Sequence, residues 1–312
     1  MTPRKALRSS LPATVLLALL AVTTAACGDD ASSADTGDTA GSGAAEPRRI
    51  AALSPDAAEA VTELVGAERL VAVPRQSLSP TLSGHADRLA DVPHKIPPGN
   101  DPDPEQVLSW GPDLVVVTAR HEGEQQASKT LTKAGVDTVT LPGDGGSLKQ
   151  IQTNLTRLGE KLGAPEKAAS LVEEMKRRTA VVTEDVRGED RPSVLILSNQ
   201  AATPFVNAPT ALVSDLVVTA GGTLAAEEAG VTRTRPVDPE VIVKADPDFL
   251  LLVDVTGKGR ASYDTLLENE AVASLDAVTE DRVRLFEANT TYGVGGTAAV
   301  DGLEDIAGWL HP

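Results

Sequence analysis

Polar and charged side chains recur in the segments that follow the predicted strands of this chain. Eight of them are candidate ligand-binding residues: Arg75, Gln76, Arg120, His121, Asn199, Lys258, Arg260 and Tyr292. Four of the eight are arginine or lysine, in a chain whose formal net charge is −17. Cationic side chains bind anions through charge-assisted hydrogen bonds. The pattern therefore predicts non-covalent binding of an anionic ligand, with Asn199, Tyr292 and the other neutral side chains as additional contacts.

Short apolar runs that alternate with helical segments must position these side chains. Strands are predicted at Arg49–Leu53, Leu70–Val73, Leu114–Val117, Asp137–Leu141, Ser193–Leu197, Phe249–Val253 and Arg284–Phe286, with helices between them. Continuous apolar strands separated by helices indicate parallel sheets covered on both faces. Ligands of such sheets bind beyond the carboxyl ends of the strands, so we expect the candidate residues to converge there.

The middle of the chain predicts two consecutive helices. Leu148–Leu162 carries apolar residues at helical spacing, and a second helix begins with Pro165 in its first turn and runs to about Val186. At 1.5 Å per residue the second helix spans on the order of 30 Å. The fold class predicted is α/β, with two parallel-sheet lobes bridged by one long α-helix: an N-terminal lobe at 48–146, a helical segment at 147–188 and a C-terminal lobe at 189–312.

An internal repeat indicates that the two lobes are structural relatives. Residues 103–117 begin Asp-Pro-Glu and reach Pro-Asp before an apolar strand, and residues 238–252 do the same. Each copy supplies an aspartate that can cap a helix, a proline at the first helical position and a buried strand.

The N-terminus predicts export and lipid anchoring. Residues 1–26 combine a basic start with an apolar stretch and small residues before Cys27, as in a secretory signal peptide, and Thr24–Cys27 resembles a bacterial lipobox. Cys27 is the only cysteine, and lipidation explains both its position and its lack of a partner. Ordinary cleavage near Ala26 is the alternative. Residues 27–47 are predicted to be a lipidated cysteine and a flexible linker, and no later stretch is apolar enough to predict a transmembrane helix.

Charge restricts the partners. Removal of residues 1–26 leaves 25 basic and 45 acidic residues, a net charge of −20. Nucleic acid and anionic lipid surfaces are therefore not expected partners, and contact with the membrane is expected only through the lipid.

Residues 48–312 resemble the extracytoplasmic substrate-binding proteins of ABC importers for ferric siderophores, haem and cobalamin, whose two lobes are bridged by one long helix. The resemblance rests on the order of landmarks along the chain: residues 49–55 leading into the Glu59 helix, the two Asp-Pro-Glu repeats, Leu158–Gly163 before the long helix, Ala220–Gly222, Leu275–Val278 and Leu310–Pro312. It implies a monomeric receptor outside the cytoplasm that captures a ferric chelate between its lobes and delivers it to a permease dimer. It implies no cofactor and no catalysis.

The resemblance also assigns Glu105 and Glu240, one on each lobe, as the glutamates that dock into the permease. An acid in the first turn of a helix also interacts favourably with the helix dipole, and both roles are compatible. The family often has an aromatic residue near Arg75–Ser79, which this chain lacks. We therefore expect a compact charged iron chelate rather than a flat macrocycle, with cobalamin or haem as the alternative.

The remaining alternatives are a bare-metal (Zn/Mn) binding protein and a lipid-anchored hydrolase. A bare zinc or manganese site would need several histidines, but His85, His94, His121 and His311 show no close ligand spacing. No motif of a hydrolase or nucleotide-binding enzyme occurs in the folded region, and the glycine-rich segments at 143–146 and 293–296 are read as turns.

Overall fold

The computed structural model describes residues 46–99, 101–118, 120–142, 146–201 and 203–312. The predicted signal segment 1–26, Cys27 and all but the last two residues of the linker 27–47 lie outside the described residues. Within the described ranges, no helix combines the length and the apolarity needed to cross a membrane.

The first lobe is built on a parallel sheet. Its strands are β1 (Ile50–Ala52), β2 (Leu70–Pro74), β3 (His94–Ile96), β4 (Leu114–Thr118) and β5 (Asp137–Leu141), in the spatial order β3-β2-β1-β4-β5. Its helices are α1 (Pro55–Val65), α2 (Ala86–Ala90), α3 (Pro104–Ser109) and α4 (Glu122–Lys133). All residues of β1, β2 and β4 are buried, as expected for strands covered on both faces. Strand β3 was not predicted, because its three residues at the sheet edge include His94 and Lys95 and give no apolar run.

Two long helices follow, α5 (Leu148–Lys161) and α6 (Pro165–Asp185). The apolar face of α5 is buried and packs against α1 of the first lobe. Helix α6 packs along α5 through Ala168, Val172 and Met175, and it also contacts helices of the second lobe. The predicted bridging helix is thus confirmed, and it begins at the predicted Pro165.

The second lobe is built on a mixed sheet. Its strands are β6 (Ser193–Ser198), β7 (Phe205–Val206), β8 (Thr223–Leu224), β9 (Arg235–Pro236), β10 (Phe249–Asp254) and β11 (Val283–Glu287). The spatial order is β11-β10-β6-β7-β9, with β8 also paired to β6. Strands β6, β8, β10 and β11 run parallel, whereas β7 runs in the opposite direction and pairs antiparallel with both β6 and β9. The α/β fold predicted for this lobe is confirmed, but its sheet is mixed rather than parallel, and the difference was not foreseen because two-residue strands leave no periodic signal in the sequence.

The helices of the second lobe cover both faces of this sheet. They are α7 (Leu212–Thr219), α8 (Ala225–Glu228), α9 (Pro239–Ala245), α10 (Asp264–Leu267), α11 (Glu270–Ala273), α12 (Asp276–Thr279), α13 (Ala288–Thr291) and α14 (Ala298–Leu310). Helices α7 and α14 contact α6. The two sheets lie within the predicted lobes 48–146 and 189–312, whose boundaries stay predictions.

The repeated motif has the same structural role in both lobes. Asp113, in the Pro-Asp turn before β4, accepts hydrogen bonds from the backbone amides of Arg48 (2.9 Å) and Arg49 (3.0 Å) at the start of β1. Asp248, before β10, accepts a hydrogen bond from the amide of Ser193 (2.7 Å) at the start of β6. Each aspartate thereby ties a repeat strand to its parallel neighbour, which supports the structural relation of the two lobes.

The predicted helix caps of the repeat are only partly observed. The side chain of Asp103 accepts hydrogen bonds from the amides of Glu105 and Gln106 at the start of α3. Asp238 occupies the equivalent position before α9, but its side chain makes no capping bond. The cap predicted for the second copy is therefore not formed by the side chain.

Candidate functional site

A cavity of about 590 Å³ lies between the two lobes. The first lobe contributes Leu53, Pro55, Gln76, Leu82, Gly99, Arg120, His121 and Glu124, and the second contributes Gln200, Ala208, Thr210–Val213, Thr234, Val255 and Thr291–Val294, with Gly146 between them. Many of these residues follow directly after β1, β2, β4, β6, β10 or β11. The cavity thus lies at the carboxyl ends of both sheets, where open α/β folds bind ligands. Its volume is within the range of small-molecule sites.

Four of the eight candidate residues line this cavity, namely Gln76, Arg120, His121 and Tyr292. The other four, Arg75, Asn199, Lys258 and Arg260, do not belong to its wall. All eight residues follow the carboxyl ends of strands, as predicted from the sequence. Only four of them have side chains on the cavity wall.

Arg120 is held by a buried carboxylate. Its two terminal nitrogens donate to the two carboxylate oxygens of Asp56, at 3.1 and 2.9 Å. Asp56 is 5% exposed and also accepts a 2.6 Å hydrogen bond from the hydroxyl of Thr118. The charge of Asp56, opposed by burial, raises the pKa of Arg120. Such a two-pronged ion pair fixes the plane of the guanidinium as well as its charge.

The start of α4 places His121 on the wall. A carboxylate oxygen of Glu124 accepts hydrogen bonds from the backbone amides of Arg120 (2.8 Å) and His121 (3.0 Å). Both amides belong to the turn that enters the helix, so the carboxylate satisfies donors that have no partner inside the helix. Glu124 therefore fixes the backbone of Arg120 and His121 at the cavity wall.

Tyr292 faces Arg120 from the second lobe. The side chain is partly buried on the cavity wall. Burial raises the pKa of Tyr292, while the positive charge of Arg120 partly offsets this effect. The phenol is therefore neutral at neutral pH and presents a hydroxyl that can donate or accept a hydrogen bond. The other tyrosine, Tyr263, is fully buried and donates to the carbonyl of Val253 at 2.7 Å, so it cannot stack on a ligand.

Asn199 lies outside the wall but binds a loop that contributes to it. Its amide nitrogen donates to Asp254 (2.8 Å) and Ser262 (3.1 Å), and its amide oxygen accepts from the backbone nitrogens of Val255 (2.5 Å) and Thr256 (3.2 Å). An asparagine side chain has two donor hydrogens and one oxygen with two lone pairs. All of this capacity is used within the protein. Asn199 thus positions the loop after β10.

The three remaining cationic candidates lie outside the cavity wall. Arg75 is exposed after β2 and lies close enough to Lys95 for its charge to lower the pKa of that amine, after the larger effect of burial. Lys258 is exposed. Arg260 donates to the carbonyl of Val283 at 3.2 Å. The cluster of positive charge expected from the sequence is not found among the described residues of the cavity wall.

Two further carboxylates of α1 join the lobes beside the cavity. Glu59 accepts hydrogen bonds from the amide of Gly84 (3.2 Å) in the first lobe and from the amide of Gly295 (3.1 Å) in the second. Glu63 accepts from the amide and the hydroxyl of Thr297. Since Tyr292 to Val294 belong to the wall, these bonds hold the wall segment against α1. We call Glu59, Glu63 and the loop 293–297 the α1 clamp.

The α1 clamp contains a titrating group. Burial raises the pKa of Glu59 to about 7, although the amide of Gly295, the hydroxyl of Ser83, the charge of His85 and the amide of Gly84 all act in the opposite direction. The imidazole of His85 lies 3.7 Å from a carboxylate oxygen of Glu63.

Glycine allows the two lobes to approach at the backbone. A Cβ atom on Gly295 would lie 1.8 Å from the carbonyl oxygen of Asp56, and one on Gly146 would lie 2.3 Å from the Cβ of Leu212. Both distances are far inside van der Waals contact. The lobes therefore touch on two sides of the cavity, at α1 and at the start of α7.

The sequence carried a signal for Asp56 and the α1 clamp that the strand-end argument missed. Asp56, Glu59 and Glu63 recur at helical spacing on α1, which is otherwise rich in alanine, valine and leucine. Residues three and four apart share one face of a helix. Buried acids on such a face need partners from other elements, because unpaired buried carboxylates are costly.

The predicted docking glutamates are exposed in equivalent places. Glu105 lies in the first turn of α3 and Glu240 in the first turn of α9, one on each lobe. Their docking role stays a prediction. Of the four histidines, His94 stacks on Trp110 and His311 bonds the carbonyl of Ala220. The described residues contain no group of three or more histidine, cysteine, aspartate or glutamate side chains arranged to hold a metal ion.

Two α/β lobes on a long helix, with a cavity between the carboxyl ends of their strands, define a two-lobed receptor for a small solute. A sequence profile of the family described as periplasmic binding protein matches residues 50–290. The chain belongs to this family.

Similarity extends to curated relatives. YvrC of Bacillus subtilis (strain 168), described as an uncharacterized ABC transporter substrate-binding lipoprotein, is 24% identical over 275 residues, which cover 86% of this chain and 81% of YvrC. A cobalamin-binding protein of Halobacterium salinarum (strain ATCC 29341 / DSM 671 / R1) is 28% identical over 287 residues, which cover 88% of this chain and 69% of that protein.

Solved structures show the same fold. The periplasmic heme-binding protein RhuT from Roseiflexus sp. RS-1 in apo form matches with a TM-score of 0.72 and 25% identity, covering 85% of this chain and 98% of RhuT. CeuE of Helicobacter pylori with Ni(II) bound matches with a TM-score of 0.71 and 17% identity, covering 86% and 84% of the two chains. The second likeness shows the fold alone.

Proposed function

We propose that this protein captures a metal chelate, an iron–siderophore complex or a close chemical relative, and delivers it unchanged to the permease of an ABC importer. The observation that carries the proposal is the cavity of about 590 Å³, which both lobes line from the carboxyl ends of their strands. Gln76, Gln200, Thr210 and Tyr292 offer it neutral hydrogen-bonding groups, and Leu53 and Val255 offer apolar surface. A wall of this composition suits a chelate with carbonyl, amide or hydroxyl groups at its surface.

Cobalamin is the second candidate. The cobalamin-binding relative is 28% identical over most of this chain. The lack of a cluster of positive charge on the described wall also favours a ligand that is largely neutral and rich in amides. Haem, which the related RhuT is described as binding, carries carboxylates that need compensation.

Location and anchoring belong to the same proposal. A secretory signal at residues 1–26 and lipidation at Cys27 would place the receptor outside the cytoplasm and hold it at the membrane, where the permease is. Glu105 and Glu240 would contact the permease, one from each lobe. The receptor needs no cofactor and performs no chemistry in this scheme, and it acts as a monomer.

The test is a binding panel measured by calorimetry. Ferric hydroxamates, ferric catecholates, haem, cyanocobalamin, Zn²⁺ and Mn²⁺ are titrated into the purified protein. We expect at least one chelate to bind, and Gln76→Ala to weaken it. Gln126→Ala, an exposed glutamine of α4 outside the cavity, is the matched control. Binding of Zn²⁺ or Mn²⁺ without any chelate, or equal effects of both variants, would contradict the proposal.

A further inference from the structure

The cavity wall is nearly neutral. Arg120 is the only side chain with a permanent positive charge among the described residues of the wall, and Glu124 is the only acid. The residues left out of the described ranges after position 46 add no cation, since they are Asn100, Ala119, Gly143, Asp144, Gly145 and Ala202. The preference of the wall for the charge of a ligand therefore depends on the negative groups that neutralise Arg120.

Asp56 cancels the charge of Arg120. The two side chains are joined by two hydrogen bonds of 3.1 and 2.9 Å. Asp56 cannot turn away to solvent, because it is 5% exposed and bound by the hydroxyl of Thr118 at 2.6 Å. An anionic group that contacts Arg120 must also approach the Asp56 carboxylate, so attraction and repulsion largely cancel.

The pair still leaves Arg120 able to bind a ligand. Its side chain is 36% exposed, and a guanidinium has five N–H donors, of which Asp56 occupies two. The remaining donors can bind a neutral oxygen, such as that of an amide or a hydroxamate. Charge is cancelled while hydrogen-bonding capacity is retained.

We infer that Asp56 is a specificity-determining residue, which makes the cavity select metal chelates of zero or low net charge over anionic chelates of similar size. The inference rests on the proposed function and narrows it to a class of substrate. It replaces the anionic ligand that the loop cations suggested, because three of those four cations lie outside the wall.

The test compares a pair of ferric chelates that are similar in size and differ in charge: a neutral trihydroxamate and a tris-catecholate of charge −3. Their dissociation constants are measured by calorimetry with the natural protein and with Asp56→Asn. The natural protein should bind the neutral member of the pair more tightly. Asp56→Asn should strengthen the anionic member about tenfold or more, because Arg120 then has one neighbouring carboxylate, Glu124, instead of two, and should change the neutral member less than about threefold.

Glu160→Gln, an exposed carboxylate of α5 outside the cavity, is the matched control, since it removes one negative charge far from Arg120, and it should leave the preference between the chelates unchanged. If Asp56→Asn does not fold, the salt dependence of the natural protein decides. Affinity for the anionic chelate should not fall as NaCl rises, because the pair of Asp56 and Arg120 leaves no net positive charge to be screened, and a steep fall would contradict the role of Asp56.

The outcomes separate the two proposals. Tighter binding of the anionic chelate by the natural protein, or an unchanged preference in folded Asp56→Asn, would overturn the role of Asp56 and leave the receptor function intact. If no chelate of either charge binds, the proposed function fails, and the inference about Asp56 fails with it.

Discussion

Glu59 should make the stability of this protein fall as the pH rises from 5 to 8. Its carboxylate is 3% exposed, and burial raises its pKa from 4.5 to about 7. In the unfolded chain the group ionises near its ordinary pKa. Between the two values the folded state holds a proton that the unfolded state has lost, so unfolding becomes easier as the proton concentration falls. The stabilisation is fully present below pH 4.5 and is lost as the pH rises through about 7.

The size of the effect follows from the shift. At about 1.36 kcal/mol per pKa unit, a rise from 4.5 to about 7 corresponds to about 3 kcal/mol of unfolding free energy, most of it lost between pH 5 and pH 8. Other ionisable side chains, including His85 and Glu63, lie near Glu59. The contribution of Glu59 is therefore isolated by comparison with Glu59→Gln, which has no ionisable group at this position.

Urea unfolding of both proteins, followed by circular dichroism at pH 5, 6, 7 and 8, provides the measurement. Glutamine offers one acceptor oxygen where glutamate offers two, so the variant loses one of the bonds from Gly84 and Gly295 at every pH. Its stability relative to the natural protein should nevertheless improve by roughly 2.5 kcal/mol from pH 5 to pH 8. Glu160→Gln, an exposed carboxylate of α5, is the control for loss of one charge. A difference between natural protein and Glu59→Gln that is constant with pH would refute the reasoning.

Three further predictions concern other parts of the chain. Asn199→Ala should lower the unfolding free energy by about 3 kcal/mol in urea unfolding, because it removes the partner of one carboxylate oxygen of Asp254 and of two backbone amides. Reversal of charge at Glu105 and Glu240 together should abolish chelate uptake by whole cells while the calorimetric affinity for the chelate is unchanged, since both residues lie outside the cavity. Cys27→Ser should abolish incorporation of a radiolabelled fatty acid and release the protein from the membrane fraction, because serine supplies no thiol for acylation.

Each of these predictions has an outcome that contradicts it. A stability loss for Asn199→Ala no larger than that of the surface variant Gln126→Ala would show that its bonds contribute little. Uptake must survive in Glu166→Lys, an exposed glutamate in the first turn of α6, and an affinity loss in the double reversal would argue against docking. Fatty acid that remains on Cys27→Ser would place the anchor elsewhere.

The fold was predictable where the sequence is periodic. The helix from Pro165 and the fully buried strands such as Leu114–Thr118 follow from uninterrupted helical or apolar patterns. Strands β7 and β9 were not predictable, since two residues each show no period and their antiparallel pairing depends on contacts across the sheet. The local pattern of apolar residues predicts where long helices and strands form. The direction of a two-residue strand depends on its contacts with neighbouring strands, which the local pattern does not contain.

The candidate site was predictable only to the level of the loop. The end of β4 correctly placed Arg120 at the cavity, but nothing nearby in the sequence indicated that Asp56, 64 residues earlier, compensates its charge. Lys258 and Arg260 follow β10 in the same way, yet neither belongs to the wall. Strand ends fix the edge of the sheet on which a residue lies, and side-chain packing then decides which way it faces.

The close contacts at Gly146 and Gly295 limit how near the two lobes can approach each other. Backbone meets backbone or Cβ at both places, so the lobes cannot close further without overlap of atoms. The separation of the two lobes across the cavity therefore depends on glycine at these two positions, and not only on the ligand. An alanine at either position would add a methyl group that overlaps the facing lobe, so the two lobes would have to lie further apart. Relatives that carry larger bulk at these two positions should accept thicker ligands on the same scaffold, so cleft height and ligand charge can be changed independently.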